Sequence, residues 1–184
     1  TVARTNWPEP ARHARRPANA RERRGMKRGD RVATLAMNHS RHLVAWYGTI
    51  GMGGVLHTVN PRLFEEQLVY ILGHAEDWVL VYDSAFAPLV EKLKPQLESV
   101  EHYICFDGPA DEFETLIAAE SDDYSWAEGD EREPCMLCYT SGTTGNPKGV
   151  LYEHRSTVLH AMAEVSADCL DLSARAVALP IVPM

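Results

Sequence analysis

A chain of 184 residues can bury one sizeable core, and 45% hydrophobic with 24% charged residues is ordinary for a globular protein. Apolar runs such as Trp78 to Tyr82 and Ala176 to Met184 are too short to cross a bilayer, and no signal-peptide pattern is present, so a cytoplasmic protein is expected. The net charge of −8 argues against nucleic acid as the main partner, but it is unevenly spread: Thr1 to Arg31 carries ten Arg/Lys against Glu9, Glu22 and Asp30, and the remainder is strongly acidic.

The basic front, Pro8 to Arg24, is helix-friendly in composition without amphipathic logic. Pro17 would break a helix interior, and Arg21 and Arg24 fall where an apolar stripe is needed. A poorly packed segment over residues 1–24 is the expectation, with a solvated arm, a nucleic-acid or membrane patch and a degraded helix as its competing readings. Order begins at Gly29-Asp30. Arg31 to Met37 reads as a short buried strand, and Asn38 and Ser40 can cap a helix from Arg41 through Ile50. Gly51, Gly53 and Gly54 stop that helix before a second strand, Val55 to Thr58. Beyond the Asn60-Pro61 turn, Leu63, Leu68, Ile71 and Leu72 form the apolar face of a helix ending near Gly73-His74. Trp78 to Tyr82 is a third strand, Phe86 to Leu97 a helix, Glu101 to Phe106 a fourth strand and Phe113 to Ala119 a helix. A solvated acidic connection, Glu120 to Glu133, leads to a fifth strand, Met136 to Tyr139. Glu153 to Cys169 is the last helix, and Ala176 to Pro180 begins another strand. Short apolar strands alternating with helices predict an α/β fold, a mostly parallel sheet with helices on both faces.

Between the fifth strand and the last helix stands Tyr139-Thr-Ser-Gly-Thr-Thr-Gly-Asn-Pro-Lys-Gly-Val150. Gly142, Gly145 and Gly149 permit close backbone approach and positive φ, so that successive N–H groups can face an anion. Thr140, Ser141, Thr143 and Thr144 offer hydroxyls to phosphate or to a magnesium-bound oxygen, and Lys148 adds a mobile positive charge. Pro147 narrows the conformations around it. The spacing of lysine after Gly145-Asn-Pro is not that of a Walker loop, which argues against a phosphate-loop NTPase.

Thr140 to Gly149 resembles the signature loop of the acyl-CoA synthetase, adenylation-domain and luciferase superfamily. The flanks Lys27-Arg-Gly-Asp-Arg-Val-Ala33, Gly51-Met-Gly-Gly-Val-Leu-His-Thr-Val-Asn-Pro-Arg62, Tyr70-Ile-Leu-Gly-His-Ala-Glu-Asp77 and Leu179-Pro-Ile-Val-Pro-Met184 are similar to its medium- and long-chain fatty acyl-CoA ligase branch. The resemblance implies that residues 25–184 are part of the large N-terminal AMP-binding domain of an adenylate-forming enzyme. It implies a two-step reaction: a carboxylic acid attacks the α-phosphate of ATP, and the thiol of coenzyme A then displaces AMP. By the same resemblance, Thr140 is the position linked to Mg2+, and Thr140, Ser141, Gly142, Thr143, Thr144, Gly145 and Lys148 grip the nucleotide phosphates, with Lys148 and Thr140 acting in catalysis. The acidic magnesium partner, the adenine and ribose motifs and the small C-terminal domain would follow Met184, so the chain is read as an N-terminal fragment that is inactive alone. A homodimer is a family expectation. A ligase for a short or methylthio-substituted acid, and a non-catalytic nucleotide-binding or interaction remnant, are the alternatives. Family members carry apolar residues where this chain has Pro17, Arg21 and Arg24.

Other residues have plainer readings. His57 and His74 are expected as structural or surface histidines, His154 as a capping or packing residue and Arg62 as a salt-bridge partner. Trp46, Tyr47 and Trp78 are expected in the core. The acids of 122–133 lack EF-hand spacing, and Cys105, Cys135, Cys138 and Cys169 suit ordinary thiols rather than a metal site.

Overall fold

The computed structural model describes Asn6 and residues 8–108, 112–140 and 145–179. At the centre runs β1 (Arg31–Leu35), with β2 (Val55–Thr58) parallel on one side and β3 (Val79–Tyr82) parallel on the other. Outside β3 lies β4 (His102–Cys105), also parallel. Beyond β2 come β5 (Pro134–Thr140), parallel to it, and β6 (Lys148–Glu153), antiparallel to β5. The sheet order is β4-β3-β1-β2-β5-β6. The helices are α1 (Pro8–His13), α2 (Arg15–Arg23), α3 (Ser40–Gly51), α4 (Glu65–His74), α5 (Ala87–Leu93), α6 (Glu112–Ala118) and α7 (His154–Glu164). None among the described residues is long and apolar enough to cross a membrane.

Alternation along the strands feeds two cores. Val32, Ala36, Val79 and Val81 pack with Ala18, Val44, Ala45, Phe113 and Ile117 beneath α2, α3 and α6. Ala33, Leu35, Leu80 and Tyr82 pack with Leu68, Ile71, Leu72, Val90 and Leu93 beneath α4 and α5. Burial on both faces is why these parallel strands read as continuous apolar runs.

Several expectations change at element ends. The helix expected over Phe86 to Leu97 keeps only Ala87–Leu93, flanked by 3₁₀ turns at Ser84–Phe86 and Lys94–Gln96; Pro95 cannot continue an α-helical ladder. The cap of α3 is neither Asn38 nor Ser40. His39 fills that role, its Nδ1 accepting from His42 N at 3.1 Å. Glycine and proline lead the chain not into a helix but into β6, which was not expected. Helix α7 follows at His154 and ends at Glu164 rather than at Cys169. No strand forms over 176–179, and Pro180 lies outside the described residues. Tyr47 is exposed and Trp46 and Trp78 are half-buried, so none is a fully buried core residue.

The basic front is folded. Helices α1 and α2, broken at Ala14, lie on α3, burying Pro17, Ala18 and Ala20. Contact is close because Gly48 faces them: a Cβ there would stand 2.7 Å from Ala14 O and 3.1 Å from Pro17 Cγ. Pro17 sits near the start of α2, where a missing N–H costs little. Arg21 is 2% exposed, its Nη1 donating to Ala45 O at 3.2 Å and to Thr49 Oγ1. Burial lowers its pKa to about 10.

Charge asymmetry is resolved within the chain. The acidic connection is exposed over most of its length, as expected, and is also strapped to the front. Arg12 pairs with Asp122 at 3.7 Å, Arg23 with Glu120 at 3.4 Å, and Arg28 Nε donates to Glu133 at 2.6 Å. Asn19 Nδ2 donates to Ser121 O at 2.8 Å. Exposed ion pairs contribute at most about 1 kcal/mol each, so a firmer anchor is needed. Trp126 supplies it, lying on Gly51, where a Cβ would meet Cε3 at 2.3 Å, with Arg15 stacked 5.6 Å from the indole.

Gly48→Leu is expected to lower unfolding stability by at least about 2 kcal/mol, since overpacking outweighs the gain in helix propensity. Urea denaturation followed by tryptophan fluorescence measures it. An unchanged midpoint would show that α2 does not dock on α3.

Candidate functional site

Strands β5 and β6 form a hairpin at the carboxyl end of the parallel strands, the end at which open α/β sheets bind ligands. The register places Thr140 opposite Lys148, so two residues eight apart in sequence meet across the ladder. Thr140 Oγ1 donates toward Lys148 O at 3.5 Å, the long limit of a hydrogen bond. Both residues are exposed, and Pro147 between the loop and β6 is buried. Gly145 has φ +103°, with nothing among the described residues within 4 Å of where a Cβ would stand, so its backbone conformation calls for glycine. Gly149 has no such φ: a Cβ there would come 3.2 Å from Tyr139 Cζ, and its hydrogen makes room for that ring. Ser141, Gly142, Thr143 and Thr144 lie outside the described residues.

Under the hairpin the structure gathers groups that sequence reasoning kept apart. His57, inside β2, points Nδ1 at Asp77 Oδ2 across 2.7 Å, and both side chains are 0% exposed. Burial holds the Asp77 carboxyl above its ordinary range, although the His57 charge and hydrogen bond pull it down. His74, at the end of α4, meets the Tyr139 hydroxyl at 2.7 Å. Burial, reinforced by the charge of Asp77, pushes the Tyr139 phenol up to about 12.

A second polar cluster, missed in the sequence, closes the carboxyl ends of β1 and β3. Asp83 Oδ2 accepts from Met37 N at 2.7 Å, and Oδ1 faces His39 Nε2 at 2.8 Å. His42, fully buried, sets Nε2 2.9 Å from Thr34 Oγ1; burial lowers its pKa to about 4. The available signal was an aspartate directly after the apolar run of β3, two strands from a histidine at a helix start.

The remaining candidates do not converge. Arg62 is exposed, with no ion pair among the described residues in place of the expected salt bridge. His154 opens α7, its N–H donating to Glu133 O at 3.1 Å. Cys105 and Cys135 are buried, Cys138 is half-buried and Cys169 exposed, all as free thiols. No group of three His, Cys, Asp or Glu suited to a metal ion occurs among the described residues. A cleft of about 720 Å³ is lined by Pro10, Ala14, Tyr47, Ile50, Trp126 and His154, the residue that follows β6, and its arginines Arg12 and Arg15 are engaged with the acidic strap.

A mostly parallel sheet with helices on both faces, extended at one side by an antiparallel hairpin, defines an α/β protein. The AMP-binding enzyme model matches residues 2–184, and the chain belongs to that family. It is 50% identical over 194 residues to the 3-methylmercaptopropionyl-CoA ligase of Ruegeria pomeroyi, covering 100% of this chain and 36% of the relative. Identity to the medium-chain-fatty-acid–CoA ligase of Ectopseudomonas oleovorans is 45% over 193 residues, covering 100% and 35%. Among solved structures, an anthranilate CoA ligase in complex with anthranoyl-AMP aligns with a TM-score of 0.80 at 26% identity, over 84% of this chain and 31% of that one. The chain therefore spans about a third of the length of the curated relatives it matches. The alignment with the family model from residue 2 includes the basic front.

Asp83 yields a pH test. Burial raises its carboxyl, but the His39 hydrogen bond, the Met37 N–H and the charges of His39 and His42 outweigh that, and the net shift is downward. Its contribution is therefore present above the ordinary carboxylate value of about 3.9 and is lost as pH falls through the lowered folded value. Asp83→Asn is expected to flatten that acid limb of a thermal-midpoint against pH curve. An unaltered limb would place the acid sensitivity elsewhere.

Proposed function

We propose that this chain is the front part of an ATP-dependent acyl-CoA ligase, in which a carboxylate attacks the α-phosphate of ATP with release of pyrophosphate, and the thiol of coenzyme A takes the acyl group from the resulting adenylate with release of AMP. The observation that carries the reading is the Thr140–Lys148 pair at the mouth of the hairpin, in a chain matched over its whole length by relatives named as CoA ligases. Lys148, exposed and placed opposite Thr140, supplies the positive charge that meets a polyphosphate. Ser141, Gly142, Thr143, Thr144 and Gly145 continue the grip on the outer phosphates, in line with their residue types. The gain is electrostatic: donors fixed in advance offset charge as the phosphoanhydride breaks.

Mg2+ belongs to this reading as an ion that arrives with the nucleotide. The donor set fits that role, because Mg2+ keeps few protein ligands and relies on phosphate oxygens and water. Thr140 Oγ1 is an exposed hydroxyl able to fill one position, and when bound the ion neutralises phosphate charge. The acid is proposed as an unbranched aliphatic carboxylate. Greater identity to the 3-methylmercaptopropionyl-CoA ligase supports a methylthio-substituted propionate as a second reading beside a medium- or long-chain fatty acid. Cytoplasmic location, a homodimer and inactivity of the isolated chain complete the proposal.

The test is ATP–pyrophosphate exchange by the full-length protein carrying this chain, with octanoate and 3-methylmercaptopropionate offered in parallel. Lys148→Ala is expected to slow exchange about a hundredfold with the preferred acid, leaving the KM for that acid unchanged. Exchange at the wild-type rate would sink the assignment of the loop.

A further inference from the structure

The tip of the hairpin is weakly tied to the sheet through its backbone. Strand β5 pairs with β2 only at Leu56↔Met136 and His57↔Leu137, so Cys138, Tyr139 and Thr140 are laddered to β6 alone. Strand β6 is itself the edge of the sheet. Cys138 Sγ adds a weak contact to Thr58 Oγ1 at 3.5 Å. What fixes the tip more firmly is the side chain of Tyr139, held from three elements. On α4, His74 Nδ1 lies 2.7 Å from the phenol oxygen, and Tyr70 stacks on the His74 ring at 5.3 Å. On β6, the ring lies across Gly149, its register partner. On β2, the His57 ring packs at 5.1 Å, anchored in turn by fully buried Asp77.

Alternation along β5 sends Tyr139 and Thr140 to opposite faces, so the phenol lies on the face away from the Thr140 hydroxyl. We propose that Tyr139 is a positioning residue for the phosphate loop and that His74 is the peg that fixes it, so that helix α4 determines where Thr140 and Lys148 stand. The inference rests on the nucleotide-loop reading above for its functional meaning, and on the hairpin geometry alone for the positioning. The phenol stays protonated across the physiological range, and it donates to Nδ1 when the other imidazole nitrogen carries the proton.

A double-mutant cycle on this chain decides the matter, with hydrogen exchange read by NMR at the amides of residues 138–140 and 148–150 and at Val32 and Leu80 as core references. His74→Ala and Tyr139→Phe are each expected to speed exchange at the tip about fivefold, the worth of one net hydrogen bond, with the core references unchanged. The double variant is expected to be no faster than either single one, because both remove the same bond. His74→Gln, which restores an acceptor of similar reach, is expected to recover most of the protection. Unchanged tip amides, acceleration shared equally by Val32 and Leu80, or additive single effects would each overturn the proposal. Hydrogen exchange at the same amides in the full-length protein carrying this chain, with and without Mg-ATP, tests the nucleotide reading separately. A wild-type tip that ignores Mg-ATP defeats that reading, and the cycle still decides the clamp.

Discussion

Strand β1 is buried on both faces, and the placement of nearly every other element follows from that constraint. A strand flanked by parallel neighbours has no solvent face, so each side of the sheet needs a layer of helices. Helices α4 and α5 meet the need on one side, and α3 and α6 on the other. The second layer is extended by α1 and α2, which is why a segment rich in arginine and proline is folded at all. It docks with small residues, Pro17, Ala18 and Ala20, against Gly48, rather than with a broad apolar stripe. Arg21 is tolerated in that layer because its guanidinium reaches Ala45 O and Thr49 Oγ1.

The same docking links the front to the candidate site. From α6 the chain returns across the front as an acidic strap, pinned by Trp126 on Gly51 and by arginine pairs, and enters β5 directly after Glu133. Glu131 also receives Arg155 from the first turn of α7. The strap thus fixes where β5 begins, while Tyr139 and His74 fix where it ends.

The buried strands were legible for a simple reason. Val79 to Tyr82 is a short apolar run, and Val55-Leu56 opens β2 between the glycines of 51–54 and the Asn60-Pro61 turn. Strand β6 had no such signal: it is an edge strand with an exposed burial pattern, and its Val-Leu-Tyr run follows a loop that reads equally well as the approach to a helix. The front misled because a helix-wheel argument looks for large apolar residues, whereas close backbone contact selects small ones. Within the site, residue types in the motif carried the chemistry, and the family resemblance carried their roles. The facing of Thr140 and Lys148 depends on hairpin register, and the His57–Asp77 and His39–Asp83 pairs depend on which strands are neighbours. Neither is written in local pattern. Gly149 shows the difference well: glycine was expected there for a backbone approach to phosphate, and the structure adds that a Cβ would crowd the Tyr139 ring and the Leu137 side chain, each at 3.2 Å.

The strap also bears on how this protein can change over time. Arg12, Asn19 and Arg23 hold 120–123, and Gly51 holds Trp126, so two stretches about a hundred residues apart share one set of contacts. An arginine lost from the front strands a carboxylate on the strap, and a bulkier residue at 51 evicts the indole. Each such loss is repaired most easily by a matching change on the other side. The basic front and the acidic connection therefore share their tolerance to substitution, and the indole seat on Gly51 carries more of it than any single ion pair.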